Sequence, residues 1–240
     1  MPDIDLTESE TGTRFARPLR GYLVRPSGEG PWPGVVMIHE VFGLDDVMRR
    51  QTERLASAGF LTLAIDLYSA GGARRCLVST MRSSLKGEGP AFEDIERGRA
   101  WLARSNDCTG NIGLLGFCLG GNFALLSAKA GFDAVAANYG RPPKDLEAAF
   151  DGACPVVGTY GGRDWTLKGA AAKLDRALAA ANVVHDVKEY PNAGHSFLND
   201  ADAGPRLFQP IQRVLGVRPE PASATEAWAR IDAFFHEHLQ

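Results

Sequence analysis

The residues best placed to do chemistry lie in Gly116-Phe117-Cys118-Leu119-Gly120-Gly121, directly after the apolar run Ile112-Gly113-Leu114-Leu115. A Gly-x-nucleophile-x-Gly sequence between a buried strand and a helix marks a nucleophile elbow, with cysteine here in the position where serine is usual. Such an elbow is a strained turn that pushes one side chain out at the top of a sheet. The residues two before and two after it must lack a Cβ that would collide, and Gly116 and Gly120 meet that need. The chemistry implied is covalent, a thiolate attacking an acyl carbon. Two other readings compete. A lone cysteine after a strand is often inert core. The crowd of Gly113, Gly116, Gly120 and Gly121 could also be a degenerate dinucleotide turn, although G-x-G-x-x-G is absent.

A thiol nucleophile needs a base, and the base needs an acid to orient it. Where an elbow is catalytic, acid and histidine follow it along the chain, each on a loop after a strand. The apolar run Pro155 to Tyr160 is followed by Gly161-Gly162-Arg163-Asp164-Trp165, and the run Val183 to Tyr190 by Pro191-Asn192-Ala193-Gly194-His195. Taken singly, Asp164 could cap a helix beginning near Leu167, and His195 could be an ordinary loop histidine. Their conjunction with the elbow favours catalysis. The other histidines compete poorly: His185 falls in a strand, His236 and His238 point to different faces of a helix, and His39-Glu40 lacks the second histidine of H-E-x-x-H. No metal or other cofactor is expected.

These residues must be positioned by alternating strands and helices. Gly21 to Val24 reads as a strand in a hairpin spanning Thr13 to Arg25, and Gly34 to His39 as a strand buried on both faces. Asp45 to Ala58 reads as a helix closed by Gly59, Phe60 to Ile65 as a strand, and Ala91 to Arg104 as a helix. Between the last two, Asp66 to Gly89 lacks a strong period and reads as an irregular, substrate-facing excursion. After the elbow come a helix continuing through Asn122 to Ala130, strands at Ala134 to Tyr139, Pro155 to Tyr160 and Val183 to Tyr190, a helix at Leu167 to Ala181, and an amphipathic terminal helix at Ala224 to Leu239. The pattern predicts an α/β fold with a mostly parallel sheet covered by helices on both faces. It reads as one domain over residues 1–240, with a hairpin and turn at 1–30 and a helix at 223–239 packing on the sheet.

At 240 residues the chain is long enough to bury about 70 to 75% of its unfolded surface. A net charge of −3 with acids and bases interspersed gives no electrostatic case for nucleic acid or a membrane surface. The four cysteines show no C-x-x-C pair and read as free thiols. The acidic start Met1-Pro2-Asp3-Ile4-Asp5 is unlike a signal peptide, no run approaches a membrane span, and a cytoplasmic location is expected. Nothing in the sequence indicates an oligomeric state.

Four separated motifs carry a family resemblance: Gly116 to Gly121, His39-Glu40-Val41-Phe42-Gly43-Leu44, Asp66-Leu67-Tyr68 and Gly194-His195-Ser196-Phe197. Together they resemble the dienelactone hydrolase (carboxymethylenebutenolidase) family, a branch of the α/β hydrolases, over Gly34 to the terminal helix. The resemblance implies a triad of Cys118, Asp164 and His195, with Glu40 beside the cysteine and helping to activate it. The substrate is then a small lactone or carboxylic ester, opened through a thioester, with the Leu119 and Val41 amides as oxyanion donors. In family members a basic side chain two residues after the histidine motif binds the substrate carboxylate; here that place holds Asn199. Arg82, with Arg74 and Arg75, is the alternative source of charge. Tyr139, Phe42, Trp165 and Tyr68 are candidate pocket walls. A non-catalytic small-molecule binder and a redox-sensing thiol are the competing functions.

Overall fold

A computed structural model of the chain describes residues 3–7, 17–207, 209–214 and 216–240. Its strands are β1 (Asp3–Asp5), β2 (Arg20–Val24), β3 (Trp32–Ile38), β4 (Leu61–Asp66), β5 (Cys108–Phe117), β6 (Ala134–Asn138), β7 (Val156–Gly161) and β8 (His185–Tyr190). They form one sheet in the order β1-β2-β4-β3-β5-β6-β7-β8. β1 and β2 are antiparallel to their neighbours, and every pairing from β4 to β8 is parallel. β2 thus pairs with β1 on one side and β4 on the other; the Thr13 to Ala16 part of the expected hairpin lies outside the described residues.

The helices are α1 (Asp46–Ser57), α2 (Ala73–Lys86), α3 (Pro90–Arg104), α4 (Leu119–Leu126), α5 (Leu146–Phe150), α6 (Ala170–Ala180), α7 (Gln209–Val214) and α8 (Pro221–His238). Register shows why the inner strands read as unbroken apolar runs. Val36 meets α3, where a Cβ built on Gly98 would lie 3.5 Å from it and 3.0 Å from Ile65. The alternate positions face the other way: a Cβ on Gly113, paired with Val35, would meet Phe235 of α8 at 3.3 Å. Both faces are therefore covered, and the polar residues within these strands, Thr62, Asn138 and Thr159, are buried with hydrogen-bond partners. α1 and α8 share the second face, where Arg54 makes a two-pronged bond to Asp232 at 2.7 and 3.1 Å and stacks on Trp228.

The segment from Asp66 to Gly89 departs from expectation. Instead of an irregular excursion it contains α2, fourteen residues long. Its buried face is made of Cys76, Thr80, Ser83 and Ser84, while Val78, Met81 and Leu85 are exposed. The helical spacing is present, but small and polar residues occupy the inner stripe, so hydrophobic periodicity could not reveal it. Smaller differences follow from local backbone. The elbow helix stops at Leu126 rather than Ala130, and the helix expected from Leu167 splits into a 3-10 turn at Trp165–Leu167 and α6, because Gly169 between them is left-handed at φ 74°. α5 and α7, each under two turns, had no sequence reading.

Candidate active site

β5 ends at Phe117 and α4 begins at Leu119, leaving Cys118 at the junction with φ 53° and ψ −110°. This conformation is costly for a residue with a side chain, and the surroundings enforce it. A Cβ on Gly116 would lie 2.0 Å from the Gly120 carbonyl oxygen, and one on Gly120 would lie 2.4 Å from the Ile38 carbonyl oxygen. The turn is therefore pressed against β3. The Cys118 amide donates to Asn138 O at 3.0 Å, fixing the elbow to β6 as well. Of the other cysteines, Cys154 is pushed up to about 12 and Cys108 is raised, both by burial, and Cys76 bonds the Tyr68 carbonyl. They have the environment of inert thiols.

His195 lies on the loop after β8. Its Nδ1 is 2.5 Å from Asp164 Oδ2, and the residue lines the same cavity as Cys118. Asp164 follows β7 and uses its other oxygen to accept from the Thr166 amide at 3.0 Å and the Thr166 hydroxyl at 2.6 Å. Asp164 thus caps the 3-10 turn Trp165–Leu167 with one oxygen, rather than a helix beginning near Leu167, and contacts His195 with the other. Burial alone would raise the Asp164 carboxyl, but the His195 and Thr166 bonds hold it below its ordinary value. Burial alone would depress His195; the Cys118 charge opposes this first, with the Asp164 bond behind it, and the imidazole ends well above its usual value. The loop is held backbone against backbone, since a Cβ on Gly194 would lie 1.9 Å from Gly216 O.

Glu40 follows β3 and is 2% exposed. Burial raises its carboxyl, partly offset by the His195 charge and by Ser196, Asn199 and Tyr139 around it. These neighbours favour the anion without aligning on it fully, for Glu40 Oε1, Tyr139 OH and Asn199 Oδ1 are all buried without a well-formed hydrogen bond among the described residues. The peptide carrying Glu40 is anchored by a residue whose role the sequence did not reveal. His39 Nε2 accepts from the Leu67 amide at 3.1 Å, so the proton sits on Nδ1, which donates to Glu40 O at 2.6 Å. Full burial lowers its pKa and keeps the ring neutral. Next to it, the Tyr68 hydroxyl donates to Val41 O at 2.9 Å. Tyr68 is therefore a prop beneath the Val41 loop.

Cys118 and His195 open into a cavity of about 410 Å³ whose walls include Val41, Leu119, Tyr139 and Thr166. The structure brings these together and leaves other sequence candidates outside. Arg74, Arg75 and Arg82 are exposed on α2 beyond the lining. Trp165 is 68% exposed and also outside it, and Phe42 packs under Gly204, where a Cβ would come within 2.7 Å of its ring. Asn199 is buried against Glu40 rather than facing the cavity. The basic residue that does line it is Arg141, which sequence reasoning missed. Its position just past a strand end, after Tyr139-Gly140, was the available signal.

A strained turn at Cys118 between a parallel strand and a helix, with Asp164 and His195 on loops after later strands, is the architecture of the α/β-hydrolase fold. The model of the dienelactone hydrolase family matches residues 19–239, and the carboxymethylenebutenolidase of Rhodococcus opacus is 32% identical over 235 residues, covering 91% of this chain and 86% of that protein. The chain belongs to the dienelactone hydrolase family and is a carboxylic ester or lactone hydrolase. Among solved structures, a dienelactone hydrolase from Anabaena variabilis matches with a TM-score of 0.68 at 20% identity, over 100% of this chain and 98% of that one. A dienelactone hydrolase-like promiscuous phosphotriesterase from metagenomic libraries matches with a TM-score of 0.79 at 20% identity, over 100% and 98%. At these identities they speak for the fold. Among the described residues, no helix is long and apolar enough to cross a membrane.

Proposed function

We propose that this hydrolase works through Cys118 as the nucleophile and a thioester acyl-enzyme, on a small lactone or carboxylic ester. The observation that carries the reading is the strained Cys118 sharing a cavity wall with His195, whose ring is held by the Asp164 carboxylate. The thiolate attacks the carbonyl carbon, and the tetrahedral oxyanion is met by the Leu119 amide and that of Val41, both on the cavity wall. The carbonyl re-forms as the C–O bond breaks, and His195 gives its proton to the leaving oxygen. Water then attacks the thioester with the same histidine as base, releasing the acid and regenerating the thiolate–imidazolium pair. Asp164 fixes the ring and stabilises its charged form. Glu40, buried against Tyr139 and Ser196, is the reserve base beside the pair.

A chromogenic short-chain acyl ester tests this. A burst of leaving group equal to the enzyme, followed by slower turnover and abolished in Cys118→Ala, is the expected result. Full activity in a folded Cys118→Ala variant would remove the thioester route, and a folded wild type that never acylates would instead favour a binding protein.

A further inference from the structure

The catalytic cavity does not end at its own walls. A second cavity of about 370 Å³ adjoins it, and Ser84, Leu85, Asn122 and Arg141 line both. The seam is close to the chemistry, for Asn122 sits one turn along α4 from Cys118, its amide donating to Cys118 O at 3.2 Å; one turn rises about 5.4 Å. At the seam Leu85 is 74% exposed, an apolar side chain with no protein cover at the point where a ligand would cross. The second cavity is lined mainly by carbon, including Leu126 and Pro142, and carries Lys86, Arg141 and Lys144. None of these three cations has a carboxylate partner among the described residues. The one acid on its wall, Asp145, is occupied in capping α5 through the Ala148 amide at 3.0 Å.

Arg141 stands on a fixed stem. Its amide donates to Asn122 Oδ1 at 2.5 Å, the preceding Gly140 carbonyl accepts from Tyr160 OH at 2.8 Å, and Pro142-Pro143 follow. A Cβ on Gly140 would come within 2.4 Å of the Gly121 backbone, so the stem cannot shift toward α4. A guanidinium on a rigid stem, unpaired at the junction of two cavities, is suited to fork onto an oxyanion.

Resting on the hydrolase reading above, we propose that the substrate's acyl arm runs from Cys118 across Leu85 into the second cavity and ends in an anionic group held by Arg141, with Lys86 and Lys144 adding charge. The acyl arm is the one concerned because it stays on Cys118 between the two half-reactions and must be held there. A small neutral lactone would fill only the first cavity.

The test uses p-nitrophenyl esters in matched pairs, one ending in methyl and one in carboxylate, from propanoyl to decanoyl. The expected result is a ratio of kcat/KM, carboxylate over methyl, that exceeds one and grows with chain length, falls with added salt, and drops roughly tenfold in Arg141→Gln, as for loss of one charge-assisted hydrogen bond. Lys144→Gln should lower it in the same direction. A ratio at or below one at every length, with the methyl esters still hydrolysed, overturns the inference and leaves the hydrolase reading intact. If no ester is turned over, the hydrolase reading is what fails, and calorimetry with the unreactive monoamide of octanedioic acid decides the second cavity separately. Binding lost in Arg141→Gln supports it; no binding, or equal binding by the variant, overturns it.

Discussion

The two oxygens of Asp164 divide their work, Oδ2 holding His195 Nδ1 at 2.5 Å while Oδ1 takes both the amide and the hydroxyl of Thr166. The carboxylate that orients the base is itself oriented by the first turn of the next element. A change at Thr166 should therefore reach His195, the proposed base, without touching it.

Asp164→Asn replaces a charged acceptor with an amide that cannot stabilise the imidazolium, and kcat/KM should fall roughly a thousandfold or more. Thr166→Val keeps the charge and removes only the hydroxyl bond, so a loss of about tenfold is expected. Steady-state kinetics on one chromogenic ester separates them; equal losses would mean that Thr166, not the charge, sets the histidine's behaviour.

The elbow glycines make a stability prediction that needs no assay of activity. Gly120→Ala would put a methyl 2.4 Å from Ile38 O, a backbone atom of the central strand that cannot give way. Gly152 is the contrasting case: it is left-handed at φ 72°, whereas Gly120 is helical, and it has no atom within 4 Å of its missing Cβ. Alanine at Gly152 should cost about 1 kcal/mol in urea unfolding, and alanine at Gly120 at least about 3 kcal/mol or soluble expression altogether. Similar midpoints for the two would show that the collision at Gly120 costs no more than a left-handed φ does at Gly152.

The elbow, Asp164 and His195 were legible because their surroundings are local: glycines, strand ends and chain order are written in consecutive residues. α2 was not, since its inner face is Cys76, Thr80, Ser83 and Ser84, whose burial depends on what packs over them. Pocket residues failed for a related reason. Trp165 follows Asp164 and Arg82 lies on α2 beside the lining residues Met81 and Ser84, yet which way each side chain points is decided by tertiary neighbours. Asn199 was read against the substrate because of its place after the histidine motif, while in the fold it turns inward to Glu40.

Tyr68 offers a test of the oxyanion loop. Its hydroxyl donates to Val41 O at 2.9 Å, and burial raises its pKa, so it is the neutral donor at any working pH. Tyr68→Phe keeps the ring stacked on His39 and removes that one bond. The burst rate should fall about three- to tenfold, in line with the loss of one neutral hydrogen bond, while KM for a neutral ester changes little. A large KM effect with an intact burst rate would place Tyr68 in substrate binding instead.

Glu40 carries the pH dependence. Its carboxyl is raised in the folded protein, first by burial, from an ordinary value of 4.5. The folded state therefore binds the proton more tightly than the unfolded chain does, and this contribution to stability is fully present below pH 4.5 and is lost as pH rises through the folded value. Raising the pH above 4.5 therefore costs the wild type stability that Glu40→Gln does not lose. The variant should melt above wild type at pH 8, with the gap closing toward pH 4.5, while its single-turnover acylation is slower. Stability gained as activity is lost is the pattern of a group kept for chemistry rather than for folding. Thermal melts across that pH range, beside stopped-flow acylation, decide it: a gap that does not change with pH would mean that Glu40 is not the titrating group, and an unchanged acylation rate would remove it from the mechanism.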